Sequence, residues 1–387
     1  MSTFDLLICS TLLVQVDGIE LGCASSLETA LHAAARWDHT GVLELLLLAD
    51  PGLANVVDAQ DSTALQLASG LGHAATVELM CALSGPELTM INHEDKYMQQ
   101  TALMRACSQG HESVVEVLIR QPGIELDKLS CTVQEAALHA TCRSGHVRVL
   151  SLLLSTGQVN VDQVNVWGES PLTLACSEGR LECVDVLLLA GASVPPLAML
   201  RACAHGHLAV VRQLLSVEGM HLDFVDDRGA TCLMLAAAGG HCALVEALLE
   251  WGMVPAWVEN AEVLAPADLE GNTALHYAGG HAAPVVVCGK GGKRWEQAMS
   301  AMVGALIERC GSAAAHILLH AANAAGETPL AVACRCGREP AARAMLQAVP
   351  ECVNVPNTQT GCMPMSVANR AGHYELVRLL LQAGGIF

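Results

Sequence analysis

The sequence predicts an all-α fold, a solenoid of stacked helix-turn-helix repeats, on three observations. A short string of the form Thr-Ala-Leu-His recurs down the 387 residues. Its copies stand at a nearly constant interval, and a second landmark, Gly-His, keeps register with the first. Self-similarity at such a period marks a stack of small units, each too thin to bury both of its faces alone.

The clearest copies are Thr29-Ala30-Leu31-His32, Thr273-Ala274-Leu275-His276 and Thr328-Pro329-Leu330. Anchoring every copy on its first apolar residue gives Leu31, Leu65, Leu103, Leu138, Leu172, Met199, Leu233, Leu275, Leu330 and Met365. The steps between them are 34, 38, 35, 34, 27, 34, 42, 55 and 35 residues. One unit is therefore shortened, before Met199, and two are lengthened around Leu275.

Each unit begins with a helix that Thr or Ser can cap, and Pro171 and Pro329 fall where a helix tolerates proline. Eight residues past the anchor stands His39, His73, His111, His146, His207, His241 or His373, with Arg180 and Arg338 in two other copies. Glycine usually precedes it, supplying a backbone angle that other residues resist; Asp38 takes that place in the first copy. An apolar pattern follows, as in Val114-Val115-x-x-Leu118-Ile119, and predicts a second amphipathic helix. The histidine opens this helix, where it is expected to satisfy local backbone groups.

These residues resemble the ankyrin repeat, with its Thr-Pro-Leu-His start, Gly-His turn and Val-Val-x-x-Leu-Leu second helix. About ten units account for residues 25–387, and residues 1–24 are read as a capping helix or a degenerate unit. The resemblance implies an ankyrin-type α-solenoid with short hairpin-like fingers, binding a protein partner on a concave, finger-lined face. On that basis Trp37, Tyr97, Met98, Trp167, Glu169, Asp227, Arg228 and Glu270 are the expected partner-binding residues. Trp37 falls near the end of a first helix, and the others fall in finger slots.

Composition narrows the function further. Apolar residues make up 52% of the chain but aromatics only 3%, so Leu, Val, Ala, Met and Cys must build a thin, layered core. Charged residues make up 15%, below the usual value of about 25%. The net charge of −19 repels phosphate backbones and anionic lipid, disfavouring nucleic acid and favouring a basic segment on the partner. No uncharged apolar run reaches the length of about 18 residues expected of a membrane span. The start of the chain lacks the features of a signal peptide, and the 17 cysteines are scattered rather than arranged as a disulfide framework. A reduced, intracellular protein is expected, cytoplasmic or nuclear.

Cys107/His111, Cys142/His146 and Cys203/His207 share a spacing that suggests zinc, but zinc takes about four converging ligands. The repeat explains the cysteines as fillers of a small buried slot in the first helix. Gly289-Lys290-Gly291-Gly292-Lys293 lacks the Ser or Thr that a phosphate loop needs. It lies in an insertion near 282–294, the other insertion being near 254–266. No cofactor, metal site or catalytic centre is expected. The leading expectation is a scaffold or adaptor. A recognition arm of a ubiquitin ligase, kinase or channel assembly is the alternative, suggested by the apolar last repeat, and a metal- or thiol-dependent enzyme is the remote one.

Overall fold

In the computed structural model the described residues are 30–88, 90–251, 267–280, 304–305 and 315–386. The chain divides between Ser193 and Val194 into two compact units, which are taken in turn. The N-terminal 1–24 segment and both insertions lie outside the described residues.

Among the described residues the first unit holds five helix pairs: α1 (Ala30–Arg36) and α2 (Thr40–Ala49), α3 (Ala64–Leu71) and α4 (Ala74–Leu88), α5 (Ala102–Gln109) and α6 (Glu112–Ile119), α7 (Ala137–Ser144) and α8 (Val147–Ser155), α9 (Pro171–Ser177) and α10 (Leu181–Leu189). First helices pack on first helices in sequence order, α1 on α3, α5, α7 and α9, and second helices pack on second helices. The anchor leucines Leu31, Leu65, Leu103, Leu138 and Leu172 are all buried between these layers. A leucine side chain taken from water in this way contributes about 1.5–3 kcal/mol.

The second unit repeats the scheme with α11 (Pro196–His205) and α12 (Leu208–Leu214), α13 (Cys232–Gly239) and α14 (Cys242–Glu250), α15 (Ala274–Ala278), α16 (Pro329–Cys336) and α17 (Glu339–Ala348), and α18 (Pro364–Arg370) and α19 (Tyr374–Gln382). Residues 304–305 and 315–320 are also helical. The Met199 repeat lacks a threonine start, and its helix instead begins at Pro196 behind Pro195. Among the described residues there are no extended strands, only the isolated bridges Val57–Thr63 and Val225–Thr231.

Local capping works as the residues foretell. The hydroxyls of Thr63, Thr101, Ser170, Thr231 and Thr328 accept the N–H three residues on, at 3.2–3.4 Å. Cys107, Cys142, Cys176, Cys203 and Cys334 are fully buried in the first helices, filling the small slot assigned to them.

The histidine that opens the second helix behaves differently from expectation. It makes no side-chain cap bond. Its Nε2–H donates to a carbonyl of the preceding repeat: His73 to Arg36, His111 to Gly70, His146 to Ser108, His241 to Ala204 and His373 to Arg335, at 2.9–3.3 Å. Arg180 reaches the Arg143 carbonyl in the same way. The ring is an inter-repeat tie rather than a local cap. It also crowds the turn glycine of the repeat before it. A Cβ on Gly110, whose φ is +79°, would lie 2.5 Å from His146 Nδ1.

Candidate functional site

Most fingers share one device. In these an Asp or Asn side chain folds back and accepts backbone N–H groups two to five residues on, closing the loop before the first helix; in the finger before α7 the Ser130 hydroxyl accepts the Glu135 N–H instead. Asp58, Asp95 and Asn165 do this in the first unit, and Asp226, Asp268, Asn323 and Asn357 in the second. The tip then needs a left-handed residue. Glycine serves at Gly168, Gly229, Gly271, Gly326 and Gly361, whereas Asp61, Gln99 and Gln134 adopt φ of 60°, 51° and 53°.

Neighbouring fingers are zipped by main-chain hydrogen bonds. In the first unit Lys96 N–H donates to the Gln60 carbonyl at 3.3 Å and Val166 N–H to the Val133 carbonyl at 3.2 Å. The Gln99 amide oxygen bridges the intervening pair by accepting Thr132 N–H at 2.7 Å. Four consecutive fingers therefore form one row. In the second unit Leu269, Ala324 and Thr358 donate to the carbonyls of Arg228, Glu270 and Gly326. The Asn323 amide adds a bond to Asn272 Oδ1 at 2.8 Å.

The row in the first unit carries several of the expected residues. Tyr97 is 70% exposed, Met98 67% and Trp167 57%, although the backbone N–H of each is held by Asp95 or Asn165. Val166 beside Trp167 is also half exposed, an apolar tip that sequence reasoning missed. Trp37 is exposed at the end of α1, away from the finger loops in sequence. Glu169 departs from the expectation of a finger charge. It is 9% exposed, and its carboxylate accepts from the Asn165 amide at the base of its own finger. In the second unit Asp227, Arg228 and Glu270 are exposed on two zipped fingers, and the missed Leu269 stands between them at 80% exposure.

Asp95 sits deepest among the finger acids. Burial alone would raise its pKa, but N–H bonds from Met98 and Gln100 and the Arg105 guanidinium, 3.0 Å away, together hold it below the ordinary carboxylate range. Its charge anchors the Tyr97–Met98 tip to α5. Asp268 plays the corresponding part in the second unit. Burial opposes ionisation there too, and the Asn272 amide and the Tyr277 hydroxyl, 2.9 Å away, favour it.

A second pattern runs along the first helices. Glu135 and Arg143, eight residues apart, form a two-pronged ion pair, and Glu327 pairs with Arg335 through two contacts at 3.0 and 3.1 Å. These acids directly precede the helix cap, so the pair fastens the finger base to its own helix.

Burial pushes the thiols of Cys107, Cys176 and Cys334 up to about 12, far from a reactive thiolate. Among the described residues no three His, Cys, Asp or Glu side chains are placed to hold a metal ion, and no helix is long and apolar enough to cross a membrane. The Gly-Lys-Gly-Gly-Lys stretch lies outside the described residues.

A family model described as "Ankyrin repeats (3 copies)" matches residues 31–130, 126–196, 199–286 and 298–386. The chain is 37% identical over 122 residues to E3 ubiquitin-protein ligase KEG of Arabidopsis thaliana, covering 28% of this chain and 7% of that protein. It is 35% identical over 100 residues to Ankyrin repeat domain-containing protein 63 of Homo sapiens, covering 23% of this chain and 26% of that one. The matched stretches thus span about a quarter or less of these curated relatives. The crystal structure of the human ASB11 ankyrin repeat domain aligns with a TM-score of 0.50 at 25% identity, over 59% of this chain and 99% of that chain.

Proposed function

The chain belongs to the ankyrin repeat family, whose repeats are protein-interaction modules, and from that premise we propose a non-catalytic adaptor that grips a protein partner along the fingers of its first unit. The observation that carries this reading is the zipped row of fingers presenting Tyr97, Met98, Val166 and Trp167 to solvent. Large apolar and aromatic side chains on a surface supply most of the anchoring energy of protein interfaces. Here they are held on rigid loops, so little conformational freedom is lost when a partner docks.

The partner we favour carries a basic segment. A net charge of −19 steers cations toward the surface, and the faces of Trp167 and Tyr97 suit Arg or Lys groups. Trp37 adds to the contact set of the first unit, and the exposed Asp227, Arg228 and Glu270 form a separate proposed contact of the second. Glu169 serves it indirectly, through the finger that holds Trp167. The likeness to a ubiquitin ligase covers 7% of that protein, so it supports the repeat architecture, and ligase chemistry forms no part of the proposal.

Quantitative proximity capture from cells would compare the wild type with Tyr97→Ala/Trp167→Ala. Both side chains are largely exposed, so melting should move by no more than about 0.5 kcal/mol. A defined set of proteins should be lost from the variant, and recovery of that set should weaken as salt rises. An unchanged set, with the variant folded, would sink the fingertip reading.

A further inference from the structure

The paired Glu and Arg of the first helices leave one arginine without its usual acid. In sequence four arginines share this register: Arg36, Arg143, Arg335 and Arg370. Eight residues before them stand Glu28, Glu135, Glu327 and, for the last, Cys362. The Arg370 guanidinium meets only the Cys362 sulfur, at 3.8 Å, and no carboxylate among the described residues. Cysteine is shorter than glutamate and carries no charge opposite the guanidinium. An open cleft of about 380 Å³ lies there instead, lined by Glu327, Arg335, Asn357, Thr360, Cys362 and Arg370. Within the cleft Glu327 balances Arg335, so one positive charge is left over in an otherwise acidic chain.

We propose that this cleft is a carboxylate-binding subsite, in which Arg370 receives an Asp or Glu side chain of the protein partner. The proposal rests on the reading of the chain as a partner-binding repeat protein and concerns the second unit by itself. The cleft falls within the range of about 300–1,000 Å³ usual for ligand sites. A guanidinium presents two parallel N–H groups that match a carboxylate, the geometry that Arg335 and Glu327 already show one repeat earlier. The other polar groups are engaged. Asn357 accepts the N–H groups of Gln359 and Thr360 and donates to the Ala325 carbonyl, while the Thr360 hydroxyl accepts Cys362 N–H. One guanidinium unopposed by a carboxylate suits a single carboxylate better than a phosphate, which needs more donors.

Cys362 supplies a built-in reporter. The Thr360 hydroxyl and the Arg370 guanidinium hold its thiol below the ordinary range, so it alkylates readily. The full chain would be treated with iodoacetamide, a neutral reagent, and labelling at Cys362 and at exposed Cys131 followed by peptide mass spectrometry. The probe is N-acetyl-glutamate N-methylamide, compared with its glutamine isostere at matched ionic strength. The glutamate probe should slow labelling of Cys362 saturably, leave Cys131 untouched, and outcompete the isostere. Arg370→Gln should weaken that protection by up to about fivefold, the upper limit for one exposed ion pair, and buried Cys352, in the turn packed on α18, should stay unlabelled if the variant is folded. Arg370→Lys, which keeps the charge but loses the fork, should fall between the two.

Absence of protection, equal protection by the isostere, or equal slowing at Cys131 would overturn the subsite. Stronger protection by acetylglycine, whose carboxylate is a chain terminus, would overturn the side-chain assignment. Because the probe requires no partner, failure here would leave the fingertip reading standing, and loss of that reading would not alter the labelling result.

Discussion

Gly110→Ala is the most informative perturbation of the stack, because the structure separates its two costs. The first is conformational. At φ +79° a residue with a Cβ sits in the left-handed region, at about 1–2 kcal/mol. The second is steric and belongs to the next repeat. The new methyl would lie 2.5 Å from His146 Nδ1 and 2.6 Å from Cε1. The ring must move, and its Nε2–H bond to the Ser108 carbonyl, now 3.2 Å, goes with it. Losing that bond costs about 0.5–1.5 kcal/mol, for a total of about 1.5–3.5 kcal/mol. The same unit contains its own control. Gly123 has φ +80° and open space around the position of a Cβ, so Gly123→Ala should cost only the conformational part. Urea denaturation followed by far-UV circular dichroism would give both values. His146→Ala would complete the comparison. In that background Gly110→Ala should fall to the cost of Gly123→Ala, leaving a coupling of about 1 kcal/mol. If Gly110→Ala proves no worse than Gly123→Ala, or if the two changes add without coupling, the histidine is not an inter-repeat tie.

Two further predictions concern titration and reactivity. Burial holds both His139 and His241 below the ordinary imidazole pKa, so the folded chain resists protons that the unfolded chain accepts. Their contribution is complete above about pH 6.5 and is lost as pH falls below it, with a slope of at most about 1.4 kcal/mol per pH unit for each ring. His139→Gln should flatten the decline in urea midpoint measured between about pH 7.5 and 5.5; a midpoint that rises on acidification would contradict the assignment. Among cysteines, exposure alone ranks Cys131 ahead of half-buried Cys362. The Glu94 carboxylate raises the Cys131 thiol, while Thr360 and Arg370 lower that of Cys362. Cys362 should therefore react before Cys131 with a disulfide reagent at neutral pH, and the reverse order would show that exposure governs.

The helices, their caps and the buried cysteines were legible because their causes are local. Thr101 caps the N–H of Met104 three residues away, and Gly110 sets its own backbone angle. The exposed tips Tyr97, Met98 and Trp167 were legible for a related reason, since the slot just before a capped helix projects from the layer. Glu169 occupies the same loop and misled the reading, because a two-residue step from Trp167 carries the chain from tip to base. Val166 and Leu269 were missed because an apolar residue in a finger reads as core until its surroundings are known. The Arg370 cleft had a signal, the eight-residue spacing of Glu and Arg, which shows only when the repeats are compared position by position.

The amino-acid order alone settled the core of the repeat, two short helices joined by a left-handed glycine turn, fixed by contacts spanning a few residues. Tertiary structure decided what the repeats do to one another. His146 reaches a carbonyl 38 residues earlier, and Asn323 an amide oxygen 51 residues earlier. Such partners are set by how one layer lands on the next, and so are the exposure of Trp167 and the opening in front of Arg370. Their positions depend on packing between layers, which no single repeat encodes.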